Sequence, residues 1–181
     1  MANSNRTEIY IEGSKEAIDN FVERFEKCHS GPYPNEEKNP HIADEFGANA
    51  ELFIDKVGSK WIEIWDEGFY RSSDNRCEIY LDSAWYPPSD MILEIYRQMA
   101  EIDDEIKVSG KYWDEGYQPI GVFEVYYGQI IEEQHSLDES EWDDEIEAEG
   151  EQEYDRNFWE EVVSPAFEIL QEKLDKVMEE I

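Results

Sequence analysis

Among the side chains able to do acid–base, nucleophilic or metal chemistry, only carboxylates are abundant in this sequence. The 181 residues include 47 Asp and Glu, 15 Lys and Arg, and three His. His29, His41 and His135 lie far apart, and none stands in the H-x-x-x-H or H-E-x-x-H spacing that puts two imidazoles on one helix face. No D-x-D-x-D-G run offers the oxygens of a calcium loop. Cys28 and His29 adjoin, but neighbours at a helix end point in different directions, so they make no nucleophile–base pair. Neither a glycine-rich phosphate loop nor a G-x-S-x-G elbow occurs. Carboxylate pairs are so frequent that any two could serve as acid and base, and a signal that fits every pair selects none. The expectation is a protein that is not an enzyme, with no cofactor and no metal site.

The same carboxylates point to binding. A formal net charge of -32 repels itself, keeps the chain soluble, and draws in cations. Direct contact with nucleic acid is disfavoured, because DNA carries one charge per ~1.7 Å of axis and its binders use Lys and Arg to displace counterions. Anionic membranes are disfavoured for the same reason. The fitting partners are basic proteins and basic grooves. Salt adaptation would predict an Ala- and Asp-heavy chain, whereas this one prefers Glu and is rich in Ile, Tyr and Trp. Cys28 and Cys77, without C-x-x-C spacing, read as buried free thiols rather than a disulfide framework. With no signal-like apolar segment at the start and no run of ~18 apolar residues, a cytoplasmic location is expected.

The acid is densest between 138 and 155. Asp138, Glu139, Glu141, Asp143, Asp144, Glu145, Glu147, Glu149, Glu151, Glu153 and Asp155 follow one another with no Lys or Arg between them. Alone, such a block is extended and solvated. Joined to a helix, its carboxylates at i, i+3 and i+4 would lie ~5–6 Å apart on one face, a spacing on the scale of phosphates along a DNA strand. Trp142 and Ile146 inside the block suggest that part of it packs. Trp142 and the acidic residues of the block through Glu153 are the candidate partner-binding set.

Periodicity supplies the elements that would carry such a surface. Glu8 to Glu12 alternates and ends at Gly13, a strand. Ser14 caps a helix whose apolar stripe is Ala17, Ile18, Phe21, Val22, Phe25 and Cys28. A proline-rich loop runs from His29 to Pro40. Leu52-Phe53-Ile54 reads as a short strand. Lys60 to Trp65 and Cys77 to Leu81 read as a hairpin turning near Ser72 to Asn75. Ser83 to Asp90 leads into a helix lined by Met91, Ile92, Ile95, Met99 and Ile102, and the aromatics beside its two prolines are expected to pack beneath its start. Strands follow at Glu105 to Trp113, Ile120 to Tyr127 and Gln129 to Glu133. Tyr112, Trp113 and Tyr117 read as core or strand-face aromatics. Last comes a helix with Phe167, Leu170, Leu174, Val177 and Ile181 on one face, kinked near Pro165, to dock on the body or on a second subunit as a homodimer contact.

This β-α-β-β-α-β order predicts an α+β fold, a ferredoxin-like sandwich with two helices on one face of an antiparallel sheet. The expected divisions are 1–135 for that domain, 136–155 for the acidic segment and 156–181 for the C-terminal helix. Leu81-Asp82-Ser83-Ala84-Trp85-Tyr86-Pro87-Pro88 ahead of a helix resembles the S-A-W-x-P-P signature of the YubB ferredoxin-like family of phages, plasmids and genomic islands. The first strand with Gly13-Ser14, and the stretch Gly121 to Gln129, are similar to that family too, over roughly residues 7–133. Glu8-Ile9-Tyr10 departs from the Trp-Cys-Asn type of opening, and the acidic block and last helix lie outside the shared pattern. The resemblance implies the fold and a mobile-element origin, and no functional residue. Charge and resemblance together predict a bacteriophage-type inhibitor in the host cytoplasm, an anti-defence DNA mimic that occupies the basic site of a nuclease or other nucleic-acid-binding host protein. The competing expectation is a regulatory or ligand-binding module whose acidity serves solubility alone.

Overall fold

The computed structural model describes residues 3–29, 40–137 and 146–181. The chain is α+β, with six antiparallel strands in one sheet and helices on both of its faces. The strands are β1 (Ser4–Glu12), β2 (Ile62–Ser73), β3 (Arg76–Ala84), β4 (Lys107–Asp114), β5 (Ile120–Tyr126) and β6 (Gln129–His135), in the spatial order β2-β3-β1-β4-β5-β6. β1 holds the centre because both its neighbours are apolar on the same side. Ile9 pairs with Ile79 of β3 and Gly110 of β4. Alternate residues face opposite sides of a sheet, so Ile9 and Ile11 enter the core while Glu8 and Tyr10 point away from it.

The first face is covered by α1 (Lys15–His29), α2 (Pro40–Phe46), α3 (Phe53–Val57) and α4 (Ser89–Ala100). Phe21 and Phe25 of α1 stack on Phe46 of α2 and Phe69 of β2, with ring centroids 4.1–6.2 Å apart. Fully buried aromatics of this size give the largest transfer gain per residue, about 2–3 kcal/mol each. Ile92, Ile95 and Met99 of α4 complete the layer.

Helices also cover the second face, and of the two docking places open to the C-terminal helix it takes the body of its own chain. α5 (Glu151–Phe158), a π-helical turn over Trp159–Val163, and α6 (Ser164–Glu180) form one continuous rod laid against β5 and β6. Trp113, Ile120 and Val122 of the sheet pack there on Phe158, Val163, Phe167, Leu170 and Leu174. β5 is buried on both faces over most of its length, whereas β4 alternates until Tyr112 and Trp113 bury its last residues on opposite faces. The rod begins at Glu151, ahead of the expected 156. Its irregularity precedes Pro165: the Ser164 N–H bonds back five residues to Trp159 O. Proline cannot donate to the carbonyl four residues back and crowds it, and one wide turn absorbs the misfit.

Two local expectations are overturned. Residues 53–57 are helical, not a strand, because Phe53 and Val57 reach the core four residues apart while Leu52 and Ile54 stay exposed. Gly58 then closes the turn in the left-handed region at φ 78, its N–H on Ile54 O. Trp85 and Tyr86 do not pack beneath α4; both are exposed, 48% and 63%, and Trp85 has φ 64. Tyr112 and Trp113 are buried as expected, Cys77 is buried and Cys28 half-buried.

Candidate partner-binding surface

The C-terminal rod carries a dense share of the acid of the described residues on one ordered element. Between 146 and 181 the chain has twelve Asp and Glu against Arg156, Lys173 and Lys176. Ile146 packs on the second core, Asn157 Nδ2 donates to Glu147 O over 2.9 Å, and Glu149 N–H donates to Glu153 Oε2 over 2.8 Å. These bonds fold residues 146–150 back beside the start of α5. Glu151 and Glu153 in the first turn suit the positive end of the helix dipole.

The candidate set divides accordingly. Asp138, Glu139, Glu141, Trp142, Asp143, Asp144 and Glu145 lie outside the described residues. Glu147, Glu149 and Glu151 are exposed at the head of the rod, and Glu153 is half-buried, 3.6 Å from Arg156.

The sequence reading missed a second row. Glu168, Glu172, Asp175 and Glu179 of α6 are all exposed and stand four, three and four residues apart. That spacing places them on one helix face, roughly 5–6 Å between neighbours. Phe167, Leu170 and Leu174 hold the other side of the helix on the sheet. The signal was present in the sequence, since an apolar stripe at helical spacing leaves its complement on the solvent side.

Beside α6, among the described residues, no helix lies over the second face of β1, β2 and β3, and its residues are aromatic and charged. The Tyr70 and Tyr80 rings stack at 5.8 Å, and Trp65 lies 6.0 Å from Tyr80. Glu78 accepts from Tyr70 Oη at 2.8 Å and Tyr80 Oη at 2.9 Å. Burial opposes its ionisation, but those two bonds and the Arg76 charge outweigh burial and hold the carboxyl below the usual carboxylate range. Tyr10 donates to Glu8. Burial, then the neighbouring carboxylates, push the Tyr10 and Tyr80 phenols well up.

Three basic groups of this side of the sheet, Arg76, Lys111 and Arg6, lie against carboxylates and rings. Arg76 lies 3.1 Å from Glu12, 3.0 Å from Glu78 and over the Tyr10 ring. Lys111 lies 3.3 Å from Glu8 and over the Phe167 ring, in a groove of about 270 Å³ that Glu168 borders. Arg6 sits over Trp65, 4.0 Å from Asp82. Cations already neutralised by carboxylates offer little to a phosphate, so the surface remains one that attracts positive charge.

No family model matches this chain. Nor does any curated protein or solved structure match it. Among the described residues no three His, Cys, Asp or Glu converge on a metal site, and no helix is long and apolar enough to cross a membrane.

Proposed function

We propose that this protein is a non-enzymatic inhibitor that occupies the basic site of a nucleic-acid-binding host factor, a defence nuclease being the favoured case, by imitating a row of phosphates. The observation that carries the reading is the anchored row Glu168, Glu172, Asp175 and Glu179 on a helix whose opposite side is buried. Carboxylates on a flexible tail lose conformational entropy on binding, whereas a pre-ordered row loses little. A net charge of -32 steers a basic partner into contact and makes the association salt-sensitive. We read residues 4–114 as a ferredoxin-like unit, on the strength of the order β4-β1-β3-β2 with α1 and α4 as crossovers. The hairpin β5–β6 and the acidic rod are additions to it. The Ser83-Ala84-Trp85-Tyr86-Pro87-Pro88 resemblance supports a phage or plasmid origin and action in the host cytoplasm.

Competition with DNA tests the reading. A short fluorescent duplex is bound to a purified non-specific nuclease held inactive without metal, and the full chain is titrated in. Displacement that weakens with salt, and that falls at least about ten-fold in the combined Glu168→Gln, Glu172→Gln, Asp175→Asn, Glu179→Gln variant, is the expected result. Failure to displace the duplex from any of a panel of basic nucleases, or displacement indifferent to the four substitutions, would remove phosphate mimicry by this helix.

A further inference from the structure

On the first face, a cavity of about 460 Å³ opens between the start of α4 and strands β4 to β6. Its floor is made by an unusual packing. Tyr112 of β4 lies across β5 at Gly121, where a Cβ would fall 2.4 Å from the ring. No other residue at 121 leaves the ring that path. Phe123 and Ile130 continue the floor, and Tyr86 and Pro87 form a wall.

Polar groups converge at one end. Tyr112 Oη lies 3.0 Å from Glu132 Oε2 and 3.2 Å from Gln134 Oε1, and its single proton serves one of them at a time. Burial first, and then the Glu132 charge, push the Tyr112 phenol far up, so it stays a donor and Glu132 is the acidic group of the lining. No Lys, Arg or His lines the cavity among the described residues.

The wall is held in place. Trp85 is in the left-handed region at φ 64, a conformation that costs a bulky residue about 1–3 kcal/mol and persists only where the surroundings impose it. Its N–H donates to Asn3 O at 3.0 Å, and Ser83 Oγ donates to Tyr86 O at 2.7 Å. The exposed Tyr86 ring is thereby presented at the cavity mouth, where burial beneath α4 would have been the ordinary outcome.

From this geometry we infer that the cavity is a binding site for a small organic cation, a flat or aliphatic apolar body ending in an amidinium, guanidinium or primary ammonium group. The body rests on Phe123, Ile130 and the tyrosine rings, and the cationic end donates to Glu132 and Gln134. Aromatic faces with a carboxylate are the usual surroundings of a bound cation, and the field of the whole molecule raises the local concentration of cations and repels anions. The site lies on the opposite face of the sheet from α6, so it goes beyond the inhibitor reading, and either can fail without the other.

Benzamidine, benzamide and benzoate share one ring and differ in charge, and serve as probes. Each is titrated into the isotope-labelled full chain while backbone amide shifts are followed. Benzamidine is expected to shift amides at 86, 89–92, 121–123 and 130–134 and to bind at least about ten-fold more tightly than benzamide, with benzoate silent. Glu132→Gln, at an exposed position that leaves the core intact, should reduce benzamidine affinity about ten-fold, while Glu168→Gln on the other face should leave it unchanged. Gln134→Arg, whose guanidinium would pair with Glu132, should likewise weaken benzamidine. Equal response to the three probes, benzamidine shifts confined to other surfaces, or affinity that survives Glu132→Gln would each overturn the proposal.

Discussion

Tyr80 donates a 2.9 Å hydrogen bond to Glu78, two residues away on the same strand and the same face, making a buried carboxylate part of the sheet's second surface. Tyr70, opposite Glu78 on β2, donates to the same oxygen. Glu78 is ionised more readily in the folded chain than in the unfolded one. A carboxyl depressed by folding contributes stability that is complete above its unfolded value and is lost as the pH falls through its folded value. Glu78→Gln should therefore unfold at lower urea at neutral pH, by about 1–2 kcal/mol, and the difference from the parent should shrink as the pH drops below the ordinary carboxylate range. A difference that stays constant from neutral pH to acid would show that the ionised form is not what the two tyrosines hold.

Alkaline titration probes the opposite sign. Tyr10, Tyr80 and Tyr112 have phenols raised by burial and by nearby carboxylates. The folded chain keeps their protons where the unfolded chain has released them, so stability is intact below the ordinary phenol value near 10 and declines above it. Tyrosinate absorbance should rise in two steps. The more exposed phenols ionise first, and the rest, these three among them, appear together with the loss of far-ultraviolet dichroism. A single smooth titration completed before any dichroism change would contradict the burial assigned to them.

How much of this could be read in advance depends on which physical signal each part leaves. Ile9 and Ile11 on β1, and Phe21 and Phe25 on α1, follow simple periods of two and of three to four, and the strand and helix are where those periods place them. Leu52-Phe53-Ile54 misled because three apolar residues in a row suit either state; only the left-handed Gly58 and the inward pair Phe53 and Val57 decide for a helix. The placement of α6 on the second face was hidden because its signal is distributed, with Trp113 on β4, Ile120 and Val122 on β5, and nothing local to say that both sides of those strands are buried. The row Glu168, Glu172, Asp175 and Glu179 was legible as spacing but was overshadowed by the denser block before it. The cavity beside Tyr112 was not legible, since it depends on one ring crossing a glycine in the next strand.

The rod's attachment makes a quantitative prediction. Leu170 is 1% exposed and packs in the second core, separated by the sheet from the core beneath α1 and α4. Leu170→Ala should cost about 3 kcal/mol, the transfer term plus an incompletely filled cavity. Because the two cores share only the sheet, hydrogen exchange should accelerate first across 151–180 while the amides of β1 and β3 keep their protection. A cost below about 1 kcal/mol, or uniform acceleration throughout, would mean that the rod is not anchored by this face.

Salt should stabilise this protein. Exposed ion pairs such as Lys15 with Asp19 and Lys27 with Glu23 contribute little, because water and salt screen them. Against them stands the mutual repulsion of a chain at net charge -32, concentrated where Glu168, Glu172, Asp175 and Glu179 share one helix face and where Glu179 and Glu180 meet the negative end of the helix dipole. Raising NaCl from about 0.01 M to about 1 M shortens the screening length from ~30 Å to ~3 Å. If that relieves about 2 kcal/mol of repulsion, Tm rises by about 4–8 °C. Neutralising the row with Gln and Asn should reproduce part of the gain at low salt and add little at high salt, because the repulsion removed is then already screened. A row that destabilises its own helix yet is placed so regularly is consistent with selection for an encounter with positive charge. A Tm that falls with added salt, or a neutralised row that melts earlier than the parent at low salt, would instead make those carboxylates part of what holds the fold together.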